Sequence, residues 1–148
     1  MTTLPGQGRI LALDYGTKRV GVAVSDPLRL LAQGVGVFEN NTELLGRLAE
    51  VAGTYAVSVI VVGMPYAPDG GLGAKGEEVR TFIEALQRAL PEMPLETWDE
   101  SFSSEEAARI YREGGMKRKR RREKGRIDEM AARVLLQEYL DHARTRGA

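Results

Sequence analysis

Arg9-Ile10-Leu11-Ala12-Leu13-Asp14-Tyr15-Gly16-Thr17-Lys18-Arg19-Val20-Gly21-Val22-Ala23-Val24-Ser25-Asp26 reads as strand, tight turn, strand. Ile10 to Leu13 form the short apolar run of a buried strand. Asp14 ends that run, and Gly16 supplies backbone freedom for a turn. Val20, Val22 and Val24 then alternate with smaller residues, the period-2 pattern of a returning strand. A carboxylate at the mouth of a buried strand costs free energy unless something pairs with it. Asp14 is therefore the first candidate for chemistry.

Outward from this hairpin, Asp26-Pro27 breaks the strand and Gly34–Phe38 predicts a third. Asn40-Asn41-Thr42 offers an N-cap, and Leu44, Leu45, Leu48, Val51, Ala52 and Tyr55 follow at helical spacing. Val57–Val62 is a β-branched run typical of a central strand. Gly63–Gly76 reads as a loop with five glycines and two prolines. A loop of that length is functional, disordered or plain linker. Val79, Phe82, Ile83, Leu86 and Leu90 mark a second helix, Leu95–Trp98 a last strand, and Ser103–Glu113 a third helix opened by a capping box. A final helix is expected from near Asp128 to about His142. The order predicts an α/β fold, a mixed sheet of five strands with helices on its faces. Residues 1–148 read as a single domain with a basic loop at about 115–126. Ligands in such sheets sit at strand carboxyl ends, where both Asp14 and Glu100 fall.

Composition narrows the chemistry. Among the 148 residues there is no cysteine, and the one histidine is His142. Disulfides, thiolate metal sites, histidine zinc sites and Ser-His-Asp mechanisms are thereby disfavoured. No signal-peptide pattern or membrane-spanning stretch is legible, so a cytoplasmic location is expected. Net charge is zero, yet Lys117, Arg118, Lys119, Arg120, Arg121, Arg122, Lys124 and Arg126 stand against a single acid, Glu123. Eight like charges in so short a run point to a polyanionic partner, nucleic acid above all.

Three acids stand out. Asp14 ends the first strand, Glu100 the last, and Asp128 sits at the edge of the apolar stripe formed by Ala131, Ala132, Leu135 and Tyr139. Converging carboxylates without histidine or cysteine suit Mg²⁺ or Mn²⁺ with oxygen ligands. Two such ions roughly 4 Å apart can activate a water and stabilise a leaving oxygen in phosphodiester cleavage. Each feature also has a structural reading. Asp128 could be an N-cap, Asp99-Glu100 loop acids favoured by the next helix dipole, Asp14 a turn cap, and the basic run a solvated face.

Four segments in order resemble the YqgF/RuvX family, proposed Holliday junction resolvases and pre-16S rRNA nucleases with an RNase H-like fold. They are Leu13–Val24, Val62-Gly63-Met64-Pro65 with Asp69-Gly70, Trp98–Ser104, and Gly125–Ala132 with Leu136–Leu140 behind it. The resemblance implies Asp14, Glu100 and Asp128 as metal-binding catalytic acids, with a two-metal site. It implies branched DNA or precursor rRNA as substrate, bound through Lys18, Arg19 and the basic run. Ser101 stands where the family has an arginine, which leaves phosphate contact to Arg19 or the basic run. A resolvase cutting two symmetric strands favours a homodimer. Two rival classes are a non-catalytic nucleic-acid-binding factor and an ATP-binding phosphotransferase of the actin-like fold. The second is disfavoured because those proteins use two such domains.

Overall fold

The computed structural model describes residues 8–99 and 124–147. The elements run β1 (Arg9–Asp14), β2 (Arg19–Ser25), β3 (Ala32–Glu39), α1 (Leu44–Thr54), β4 (Val57–Met64), α2 (Ala74–Ala89), β5 (Leu95–Asp99) and α3 (Lys124–Gly147). The helix expected over Ser103–Glu113 lies outside the described residues.

The five strands form one mixed sheet in the order β3-β2-β1-β4-β5. β1, β2 and β3 pair antiparallel as a meander, whereas β4 and β5 join β1 in parallel. The carboxyl ends of β1, β4 and β5 therefore share one edge of the sheet.

Strand alternation sorts the core into two layers. Leu11, Leu13, Val22, Val24, Ile60 and Val62 point to the side filled by Leu44 and Leu48 of α1 and Val79, Phe82 and Leu86 of α2. Ile10, Ala12, Ala23 and Val61 point to the other, covered by Ala132, Leu135, Leu136 and Leu140 of α3. Small residues on the second face let α3 lie close. At Gly34 in β3 an added Cβ would fall 2.1 Å from Glu129 Oε1 of that helix. Gln137 fastens the same pair: its Oε1 accepts from Ala32 N (2.9 Å) and its Nε2 donates to Leu30 O (3.0 Å). Glu129 at Gly34 and Gln137 at Ala32 show that α3 runs opposite to β3, hence opposite to β1.

At the far edge the chain turns through residues 26–31. Asp26 Oδ1 accepts from Leu30 N (2.7 Å) and Leu31 N (2.8 Å), and these bonds, that to Leu31 first, hold its carboxyl below the usual range. Arg29 takes a left-handed backbone (φ 58°), and its guanidinium donates to Gly8 O and Ser58 Oγ.

Several boundaries differ from the sequence expectation. β3 starts at Ala32 rather than Gly34, because Gln137 supplies the acceptor that its first N–H needs. The segment expected as a loop over Gly63–Gly76 is shorter: β4 continues to Met64 and α2 already begins at Ala74. Gly76 lies buried in that helix, where an added Cβ would stand 3.0 Å from Leu72 Cδ2. α3 begins at Lys124, so Asp128 is inside the helix and not its N-cap. Lys and Arg are good helix formers, and the single Gly125 costs only about 1 kcal/mol, so the helix extends back into the basic run. No helix among the described residues is long and apolar enough to cross a membrane.

Candidate functional site

Asp14 is half-buried at the carboxyl end of the central strand β1. It has the parity of Ile10 and Ala12, and so belongs to the face that α3 covers. Tyr15, one residue on, turns to the opposite face and packs against Phe82 of α2, ring centroids 4.8 Å apart. The aromatic contact anchors one side of the turn.

The turn itself is fixed by backbone crowding. An added Cβ at Gly16 would stand 2.5 Å from the Arg19 carbonyl oxygen, a distance real Cβ atoms do not reach. Asn40, just past β3, holds the turn from the other side: its Nδ2 donates to Gly16 O (2.8 Å) and its backbone N to Lys18 O (2.9 Å). Nothing in the composition of Asn40-Asn41-Thr42 marks that role; a capping motif is the natural sequence reading. The expected cap is not formed: the N-cap of α1 is Glu43, with no side-chain cap bond, and Asn41 Oδ1 instead accepts from Glu43 N at 2.9 Å in the turn before the helix.

Lys18 and Arg19 line a groove of about 450 Å³ with Val37, Glu39, Asn40 and Asn41. It lies beside the Asp14 turn, on the β2–β3 side. On the β4–β5 side, Asp99 borders a second cavity of about 520 Å³ with Tyr66, Ala67, Pro68 and Gly70. Asp99 pairs with Met64 across β4–β5 and shares the parity of Leu95, which packs with the α1–α2 layer. Trp98 and Glu96 have the other parity and meet Tyr139 of α3. Asp99 therefore faces away from Asp14.

Of the sequence-predicted site residues, the structure brings Asp14, Lys18 and Arg19 to one edge. Glu100, Lys117, Arg118, Lys119, Arg120, Arg121 and Arg122 lie outside the described residues. Lys124, Arg126 and Asp128 fall in the first turns of α3. These turns extend past Glu129 and Gly34 toward the Asp14 edge. Among the described residues, no group of three His, Cys, Asp or Glu side chains could hold a metal ion. Asp14 still has the donor chemistry such an ion needs: a carboxylate at the edge of an apolar core, in a chain without thiols.

A β1–β2–β3 meander, parallel β4 and β5, and a last helix laid across β1 to β3 define an RNase H-like fold. Thermus thermophilus RuvC has this architecture in complex with a Holliday junction: TM-score 0.58 at 15% identity, covering 93% of this chain and 96% of that one. The chain belongs to the RuvX family, described as Holliday junction resolvase, which matches residues 8–142. A relative from Chlorobium luteolum is 46% identical over 93% of this chain and 97% of its own. One from Halothermothrix orenii is 44% identical over 90% and 95%. Both carry the name "Putative pre-16S rRNA nuclease".

Proposed function

We propose that the chain is a divalent-metal-dependent nuclease that hydrolyses nucleic-acid phosphodiester bonds, with Asp14 at its centre. Asp14's place carries the reading: the carboxyl end of the middle strand, on the face closed by α3, with a cationic groove alongside. The names of the relatives support the same class of reaction. Neither rival class gains comparable support.

Asp14, Glu100 and Asp128 would hold Mg²⁺ or Mn²⁺, which supplies Lewis-acid stabilisation and an activated water when bound. The rest is the work of this chain's own residues. Tyr15, Gly16 and Asn40 keep Asp14 oriented before substrate arrives, so orientation costs nothing at the moment of reaction. Lys18 and Arg19 take phosphate oxygens on the β2–β3 side, and Lys117–Arg126 adds contacts that position the backbone without reading sequence. The substrates that fit are a four-way DNA junction and the 5′ end of pre-16S rRNA. Two copies would act together on the junction, giving symmetric nicks.

Cleavage of a labelled four-way junction and of a precursor rRNA 5′ fragment, each with Mg²⁺, Mn²⁺ or EDTA, tests the proposal. The expected result is cutting that needs the metal and is abolished by Asp14→Asn. Undiminished cutting in EDTA would overturn the metal dependence. Binding of either substrate without cutting would leave a nucleic-acid-binding factor. With roughly six phosphates engaged on duplex DNA, log K should fall against log salt at a slope near −5.

A further inference from the structure

We infer that Gly34 of β3 is a positioning residue: the seat it offers to Glu129 sets the height and roll of the first turns of α3, and so brings position 128 to Asp14. The inference rests on the nuclease reading, in which Asp14 and Asp128 share a metal ion.

Three strands build the seat. Ala12 pairs with Ala23, and Ala23 with Gly34. The row under α3 therefore runs Ala-Ala-Gly across β1, β2 and β3, and loses its last side chain at the open edge of the sheet. The next row of the same parity is Asp14, Gly21 and Val37. Two residues of strand separate the rows, about 7 Å. A helix advances about 1.5 Å per residue, so roughly four or five residues before Glu129 cover that distance. Position 128 lies within that stretch. It stands four residues before Ala132 and seven before Leu135, both buried against the sheet, and continues their stripe. Glu129 is turned about 100° away from it, toward β3.

Contacts on the β3 side fix the roll. A Cβ at position 34 would stand 2.1 Å from Glu129 Oε1, 2.8 Å from Cδ and 2.9 Å from Cγ. Oε1 and Cδ can swing aside. Cγ moves only with χ1, which a helix restricts largely to two rotamers, or with the helix itself. To regain ordinary carbon contact, about 3.5–4.0 Å, it must withdraw by roughly 1 Å. Gln137 makes the second tie, to Ala32 N and Leu30 O. The stripe of Ala132, Leu135, Leu136 and Leu140 adds adhesion, but apolar packing is non-directional. Rolling α3 thus means breaking its two contacts with β3.

The test is calorimetric titration of Mn²⁺ into the full chain without nucleic acid, beside single-turnover cleavage over a range of Mn²⁺. Gly34→Ala should weaken Mn²⁺ binding by about 10- to 100-fold and shift the metal requirement of cleavage in step. Glu129→Ala alone leaves the seat open and should bind within about threefold of the unaltered chain. Placed on Gly34→Ala, it should restore binding to the same range, the coupling expected of two residues in contact. Leu140→Ala, at the other end of α3, should lower the melting temperature and leave Mn²⁺ affinity unchanged. Unchanged affinity in a folded Gly34→Ala overturns the inference and leaves the nuclease reading standing. So does a loss that Glu129→Ala does not repair, or an equal loss in Glu129→Ala alone. Should Gly34→Ala not fold, Gln137→Ala takes its place, and unchanged affinity there has the same force. Absence of Mn²⁺ binding and of cleavage in the unaltered chain removes both readings.

Discussion

Replacing Asn40 tests whether the Asp14 turn is held for catalysis or only for folding. Its side chain contributes one hydrogen bond to the turn, Nδ2 to Gly16 O at 2.8 Å, and its backbone contributes a second, to Lys18 O at 2.9 Å. Asn40→Ala removes the first and leaves the second. One such bond is worth about 0.5–1.5 kcal/mol, so a melting-temperature drop of only a few degrees is expected for a domain of this size. Asn40→Asp is nearly isosteric but exchanges the donor for a carboxylate facing the Gly16 carbonyl. That contact is repulsive, and the turn must open by some tenths of an ångström to relieve it. Displacement of a catalytic group by about 1 Å can cost on the order of 100-fold in rate. We therefore expect kcat for metal-dependent cleavage to fall about 10- to 100-fold in Asn40→Asp. In Asn40→Ala the fall should be smaller, with KM shifting by less than the rate in both. The assay is single-turnover cleavage at saturating enzyme, beside a thermal melt of each variant. A normal cleavage rate in Asn40→Asp, with the melt lowered, would refute the argument and reduce Asn40 to a structural tie.

Gly16→Ala forces a Cβ to within 2.5 Å of the Arg19 carbonyl oxygen, so a loss of about 1–3 kcal/mol in denaturant unfolding and a marked loss of cleavage are expected. Leu136 of α3 is fully buried against the sheet; Leu136→Ala should cost about 2–5 kcal/mol. The fluorescence of Trp98, the sole tryptophan, which packs edge-on against Tyr139 of α3, should report the loosened helix. Tyr139 donates to Glu96 Oε1 at 2.8 Å, and burial first, then that carboxylate, pushes its hydroxyl up to about 12. The protonated form is thus the one the fold favours. Its contribution is complete below the ordinary tyrosine value near 10 and is lost as pH rises toward 12. Tyr139→Phe should flatten that alkaline decline in unfolding free energy.

The fold was legible because its pattern is strong. The Ile10–Leu13 run, the Val20/Val22/Val24 alternation and the Val57–Val62 stretch each give strands whose burial decides their structure. Asp14 could be singled out because a charge ending an apolar strand is locally anomalous. What escaped depends on contacts between distant residues. The early start of β3 needs Gln137, 105 positions away from Ala32. The clamp by Asn40 lies 24 positions from its acceptor and looks, in sequence, like an ordinary helix cap. The glycine-rich segment after β4 reads as loose because glycine and proline mark turns without saying that Leu72 anchors them. The early start of α3 is hidden because the Lys/Arg run carries no apolar periodicity, although lysine and arginine are good helix formers.

The meeting of α3 with the β1–β3 face has a consequence for how the molecule comes into being. Among the described residues, the helix that covers Ile10 and Ala12 is α3, through Ala132, Leu135, Leu136 and Leu140. During synthesis the meander is finished early, yet its α3 side lacks this cover until residues 124–147 have been made. Contacts between such remote segments close late. An emerging chain without α3 would be adhesive on that face, a period in which chaperones have something to grip. α3 thus sets the moment at which this face of the sheet is closed.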